Sequence, residues 1–202
     1  FQLPRKASSE DPLRLAVLIS GSGSGMVALI EHQHSSSESA HITSVVISNR
    51  EGVAGLQKAT DLGVKAIAIS SSSAMDREAH ERDIHSVLKE HEIEAVILSG
   101  YMRLLTPWFV ERWEGRMLNI HPSLLPRFPG AHAHRDVIAA GVDSTGCTVH
   151  FVDSGMDNVG KFSLSIGVLF LVLTVLNSIT PTTITPSFQR AEILNALSSV
   201  VW

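Results

Sequence analysis

Residues 13–20 (LRLAVLIS) form a short apolar run that stops at Gly21-Ser22-Gly23-Ser24-Gly25 and hands over to a helical pattern at residues 26–32. A strand this apolar keeps no polar face for water, so it is expected inside a sheet that is covered on both sides. Covered sheets of that kind are parallel, and parallel strands need crossover connections. The chain supplies them. Residues 44–48 (SVVIS) read as a second strand closed by Asn49, and residues 53–62 place Ala54, Leu56, Ala59 and Leu62 at helical spacing before Gly63. Residues 64–70 read as a third strand, and 76–91 as a polar helix with Ile84, Val87 and Leu88 on one face. Residues 95–99 (AVILS), 117–120 and 147–152 (CTVHFV) complete the strands, with a short helix around 136–140. The expectation is an α/β chain with a mostly parallel sheet built from right-handed βαβ units.

A chain of 202 residues is enough for one domain with a sizeable core. With 44% hydrophobic and 18% charged residues it has a soluble globular composition. A net charge of -4 argues against a general nucleic-acid surface and leaves local anion sites open. The single cysteine, Cys147, leaves no intramolecular disulfide and suits a reducing, cytoplasmic compartment. Residues 1–12 (FQLPRKASSEDP) mix charge, Ser and Pro and read as a linker, starting at Phe1 with no signal peptide. That start suggests an excised module with more chain upstream.

Beyond Gly160 the texture changes. Residues 162–185 carry no charge, and 164–176 are strongly apolar. Thirteen residues fall short of the ~20 that span a bilayer, so a buried strand or helix, or a poorly ordered hydrophobic tail, is expected instead of a membrane anchor.

A strand, a glycine-rich turn and a helix together make an anion site, because backbone N–H groups converge at the positive end of the helix. Gly23, Ser24 and Gly25 are placed to cradle a phosphate. No Lys-Ser/Thr follows, so the Walker pattern is absent, and Ala28 takes the last position of a dinucleotide pattern. The competing interpretation is a tight strand–helix turn with no ligand.

Asn119-Ile120-His121-Pro122 adds chemistry. On an extended segment the Asn119 and His121 side chains face the same side. An amide that can hold oxyanion charge and a base that can move a proton are the minimum for acyl-type transfer. Their position at the C-terminal end of a parallel strand is where open α/β sheets bind ligands. A structural histidine is the alternative. A metal site from His121, His132 and His134 is disfavoured, because no cysteine or paired carboxylate completes the set. Asp153 and Asp157 follow the last strand. Either would favour a nearby imidazolium, or both are solvated loop acids. Met102, Arg103, Leu104 and Leu105 join apolar side chains to one cation, and could line a slot for a flat heterocycle. Taken alone, they are more simply a core edge with one snorkelling arginine.

The stretches AVLISGSGS (16–24), VVISNREGVAGLQKA (45–59), ILSGYMRLLTPWFV (97–110), MLNIHPSLLPRFPGAHAH (117–134) and GCTVHFVDSGMD (146–157) together resemble the phosphoribosylglycinamide formyltransferase (GAR transformylase) family. NIHPSLLP is shared with other formyltransferases that use 10-formyltetrahydrofolate. The phosphate loop and the GAHAH continuation favour the glycinamide ribonucleotide branch. Residues 1–12 look like the junction before the last module of an animal trifunctional purine-synthesis protein, which implies upstream purine-synthesis domains.

The resemblance implies a Rossmann-like formyltransferase fold and formyl transfer from the co-substrate 10-formyltetrahydrofolate to the amine of glycinamide ribonucleotide. It implies that no metal is needed, while the charge and the short apolar stretch lead to the expectation of no nucleic-acid partner and no membrane. By match, Asn119 polarises the formyl oxygen, His121 is the general acid, and Asp157 holds its protonated state. Gly23, Ser24 and Gly25 take the ribonucleotide phosphate. Arg77, Met102, Arg103, Leu104, Leu105 and Asn119 surround the folate, with Asp153, Ser154, Gly155, Met156 and Asp157.

Two departures stand out. The family usually has Asn where this chain has Gly25, which removes a side-chain donor. After Asp157 the family continues differently, so the domain is expected to span 13–160, with an atypical tail over 161–202 in place of the fold's C-terminal part. Gly160-Lys161-Phe162 can be encoded by a splice-donor sequence, so that tail reads as translated intron or another substituted C-terminus. Alternative functions are an impaired isoform retaining only ligand or partner binding, or a different 10-formyltetrahydrofolate-dependent formyltransferase.

Overall fold

The computed structural model describes residues 2–71, 76–142 and 145–153, and the backbone of 172–175. The chain divides into two units, residues 1–118 and 119–202. The first holds β1 (Leu13–Ile19), α1 (Ser24–Ser35), β2 (His41–Ser48), α2 (Ala54–Asp61), β3 (Lys65–Ala68), α3 (Arg77–Glu90), β4 (Ala95–Leu98) and α4 (Pro107–Trp113). Strand β5 (Met117–His121) starts in the first unit and ends in the second, which continues with α5 (Ala133–Ala139), β6 (Thr145–Phe151) and β7 (Val172–Val175).

In the first unit the strands lie in the order β3-β2-β1-β4. β1 pairs with β2 and with β4, and β2 pairs with β3, all in parallel. The order reverses at β1, since β2 and β3 extend to one side and β4 lies on the other. In doubly wound sheets such a reversal marks the end of the sheet that takes ligands, here the side beyond the C-terminal ends of β1 and β4. β1 is the fully covered strand expected from its composition: Ala16, Val17, Leu18 and Ile19 are all 0% exposed. The fold class expected from the sequence holds, with a mostly parallel sheet and helices. In the second unit β6 and β7 pair antiparallel, with Thr145 opposite Val175 and Thr148 opposite Val172. Four residues of the apolar stretch therefore take strand backbone. The rest of the tail lies outside the described residues, and so does the expectation that it replaces the fold's C-terminal part.

Three differences from the expected elements have physical causes. β2 begins at His41, earlier than residue 44, because His41 and Thr43 are buried and tied to α1 through Gln33. Helix α4 is not visible as a helical period in residues 97–110. It starts at Pro107, whose missing N–H costs nothing in a first turn, and it buries Phe109, Val110 and Trp113. The buried face of α3 also includes polar residues: His80 and Glu81 join Ile84 and Leu88. The Glu81 carboxylate accepts hydrogen bonds from the Thr106 N–H at 2.8 Å and from the Thr106 hydroxyl, which anchors the end of the segment after β4.

Residues 2–12 form no helix or strand, yet they are held. The Gln2 N–H donates to the Glu114 carbonyl at 3.1 Å, and the Arg5 guanidinium pairs with Glu94 at 2.6 Å and Asp11 at 2.8 Å. Burial alone would raise the Glu94 pKa, but Arg5 and the Arg14 N–H outweigh it and hold the carboxyl below its ordinary value. Among the described residues no helix is long and apolar enough to cross a membrane.

Candidate functional site

In the first unit the candidate site is built around the glycine loop 21–25. Gly23 caps α1 with φ 64, the left-handed region that only glycine adopts without strain. A Cβ there would also meet Met26 Cε at 2.8 Å and Gly55 Cα at 3.1 Å. Helix α2 is seated directly on the loop. The Gly55 N–H donates to the Gly21 carbonyl at 3.1 Å, and Lys58 Nζ donates to the Ser22 carbonyl at 3.1 Å. A Cβ on Gly55 would lie 2.4 Å from Ile19 Cδ1 and 2.7 Å from the Gly21 oxygen. Gly55 therefore has to be glycine for α2 to sit where it does. Sequence reasoning missed it, because a glycine in the first turn of a helix carries no ligand signature.

Gly23 is buried, Gly25 half-buried and Ser24 exposed. The space that a side chain at position 25 would need is already taken. A Cβ on Gly25 would fall 2.6 Å from Ser99 Oγ.

One hydroxyl ties the loop to the segment after β4. Ser20 Oγ, at the end of β1, donates to Asn49 Oδ1 at 2.6 Å and accepts from the Met102 N–H at 2.8 Å. Ser20 and Asn49 are buried, so these are low-dielectric bonds that fix the Met102 backbone relative to the glycine loop. Met102 and Leu104 are 54% and 56% exposed. These two side chains therefore lie at the surface, on a backbone that is held in place. Leu105 and Arg103 are half-buried. Arg103 Nε and the neighbouring Tyr101 hydroxyl are buried with no hydrogen-bond partner among the described residues. Burial pushes the Tyr101 pKa up, so the phenol stays protonated and able to donate. Arg77 is exposed on the first residue of α3.

In the second unit β5 delivers Asn119 and His121 from alternate positions of one strand, as their spacing predicts. His121 is 3% exposed, and its Nε2–H donates to the Phe128 carbonyl at 2.8 Å. A carbonyl only accepts, so it is Nε2 that carries the proton in this contact. The loop that offers this carbonyl is fastened by Ser123, whose hydroxyl donates to the Arg127 and Phe128 carbonyls at 2.8 and 3.0 Å. Thr148 Oγ1 on β6 donates to the Ser123 carbonyl and accepts from the Leu125 N–H.

The Asn119 amide nitrogen lies 3.2 Å from His150 Nε2. His150 Nδ1–H donates to the Phe151 carbonyl at 3.0 Å, so Nε2 is the acceptor and Asn119 the donor. His150 is 7% exposed and was not singled out from the sequence. Its place in the alternating run TVHFV is the only local signal. Asp153 is half-buried. Ser154, Gly155, Met156 and Asp157 lie outside the described residues, which leaves the assigned carboxylate without a described position. His132 caps α5 and His134 sits in its first turn, both exposed. No group of three His, Cys, Asp or Glu side chains suited to a metal occurs among the described residues.

The family model described as formyl transferase matches residues 13–200. The chain is 48% identical over 154 residues to the trifunctional purine biosynthetic protein adenosine-3 of Bos taurus, covering 76% of this chain and 15% of that protein. It is 37% identical over 145 residues to the phosphoribosylglycinamide formyltransferase of Escherichia coli, covering 72% of this chain and 68% of that protein. The crystal structure of glycinamide ribonucleotide transformylase 1 from Symbiobacterium toebii superposes with a TM-score of 0.70 at 34% identity, covering 91% of this chain and 81% of the other. The chain spans only 11% to 15% of the length of its trifunctional relatives. With a family match over nearly its whole length and a strand-borne Asn119–His121 pair, the chain belongs to the formyl transferase family.

Proposed function

We propose that the chain transfers a formyl group from 10-formyltetrahydrofolate to the amine of glycinamide ribonucleotide, a step of de novo purine synthesis. The observation that carries this reading is the Asn119 amide held by His150 on the same strand as a buried, tautomer-fixed His121. The names and identities of the relatives support the acceptor.

The substrate amine adds to the formyl carbon, the bond from that carbon to N10 of the folate breaks, and tetrahydrofolate leaves. The amine gives up one proton and N10 gains one. Asn119 carries two amide N–H groups, of which one is given to His150. The second is assigned to the oxyanion of the tetrahedral intermediate. His121 is assigned the proton transfer to N10, with Asp157 favouring its charged form. Gly23, Ser24 and Gly25 are assigned to the phosphate. Arg77, Met102, Arg103, Leu104, Leu105, Asn119 and residues 153–157 are assigned to the folate, whose flat ring matches the exposed Met102 and Leu104.

In the same reading, residues 1–12 connect to upstream purine-synthesis domains, 13–160 form the catalytic domain and 161–202 an atypical tail. The lone Cys147 supports a cytoplasmic location.

The test incubates the purified chain with both substrates and follows formylated product by mass, beside a chain given a family-type C-terminus. Product that requires glycinamide ribonucleotide is expected. Formylation of a different amine, with glycinamide ribonucleotide left untouched, would overturn the acceptor assignment.

A further inference from the structure

The glycine loop has no cation of its own, yet helix α2 brings one to its back. Lys58 Nζ donates to the Ser22 carbonyl at 3.1 Å, and the Gly55 N–H takes the adjacent Gly21 carbonyl at 3.1 Å. In a trans peptide the carbonyl and the following N–H point in opposite directions. With the Gly21 and Ser22 carbonyls taken by the Gly55 N–H and by Lys58 Nζ, the Ser22 and Gly23 N–H groups point opposite to those carbonyls and so away from these two donors. Lys58 is exposed, and among the described residues it pairs with no carboxylate. The nearby Asp61 is taken by the Gln57 amide at 2.8 Å. The ammonium charge is therefore not neutralised in place, and it offsets the negative ends of the two carbonyls behind the anion site.

We propose that Lys58 is a positioning residue for the phosphate of the substrate: by gripping the Ser22 carbonyl it holds the Ser22–Gly23 peptide with its N–H toward the anion, and it adds positive potential to a loop that lacks a cation. This rests on the assignment of the loop to the ribonucleotide phosphate. It deepens that assignment by naming the side chain that sets the loop's anion affinity.

The test measures binding to the full chain by calorimetry, using glycinamide ribonucleotide and its phosphate-free riboside. Wild type is expected to prefer the phosphorylated compound. Lys58→Met should weaken phosphorylated binding by about tenfold, the scale of one charge-assisted hydrogen bond, and leave riboside binding unchanged. Lys58→Arg should restore most of the loss. The preference should also decline with added salt more steeply in wild type than in Lys58→Met. If Lys58→Met matches wild type for both compounds, or weakens both equally, the proposal for Lys58 is wrong while the phosphate loop stands. If wild type itself does not distinguish the two compounds, the phosphate assignment fails and takes this proposal with it. Because Lys58 lies at the surface, the variant is expected to fold, and an unchanged thermal midpoint checks that.

Discussion

The Asn119 amide donates to His150 Nε2 across 3.2 Å, and the Phe151 carbonyl fixes the tautomer that makes this possible. His150 thus orients the group assigned to the oxyanion without being assigned to contact it. His150→Phe keeps a ring of similar size and removes the acceptor. Turnover is expected to fall by about ten- to a hundredfold, since a small misplacement of a catalytic group has that cost. The KM for the folate should stay within about twofold, as steady-state kinetics at varied folate will show. A raised KM with unchanged turnover would mean that His150 acts on binding instead.

Gly23 and Gly55 fit together at the base of the glycine loop. Gly23→Ala puts a side chain at φ 64, where the left-handed region costs about 1–2 kcal/mol. Gly55→Ala puts a methyl 2.7 Å from a backbone oxygen, so α2 has to move. Overpacking of this kind costs about 1–3 kcal/mol. Urea unfolding should register both losses, and both variants should raise the KM for glycinamide ribonucleotide. An undisturbed Gly55→Ala protein would show that α2 does not brace the loop.

Gly25 and Ser99 compete for one space. Adding a side-chain donor with Gly25→Asn drives its Cβ against Ser99 Oγ, only 2.6 Å away. The gain of a donor should therefore be small alone and larger beside Ser99→Ala. A double-mutant cycle on glycinamide ribonucleotide affinity is expected to give a coupling of roughly 0.5–1 kcal/mol in favour of the pair. Strict additivity would mean that Ser99 simply rotates away.

His41 couples stability to pH. Burial, and secondarily the nearby His32, lowers its pKa to about 4, while the Gln33 amide donates to its Nδ1 at 2.8 Å and thereby requires an unprotonated nitrogen. In the unfolded chain the imidazole titrates near its ordinary value of about 6.5. Between these values the unfolded chain binds the extra proton. The contribution is therefore fully present above pH 6.5 and is lost as pH falls toward 4, on the order of 3 kcal/mol. Urea midpoints at pH 7.5 and 5.0 should show this fall, and His41→Asn should flatten it. An equal pH dependence in the variant would assign the fall to other groups.

Much of this was legible in the chain itself. The β1 run and its glycine turn read correctly because a strand covered on both faces has no polar positions to confuse the pattern. Asn119 and His121 could be paired because strand periodicity is local. Partners far along the chain could not be read. Glu81 binds Thr106, 25 residues away, and Asn119 binds His150, 31 residues away. In each case the meaning of one side chain depends on the position of another. Helix α4 was hidden because seven residues are too few to show a period within an apolar run, although Thr106-Pro107 carried its start signal.

If Asn119 and His121 carry out formyl transfer, single-turnover kinetics on Asn119→Ala and His121→Ala will show it. With both substrates saturating, each variant is expected to transfer formyl about 10²- to 10⁴-fold more slowly than wild type, while folate affinity stays within about threefold. Transfer at a near-normal rate in either variant would contradict the account.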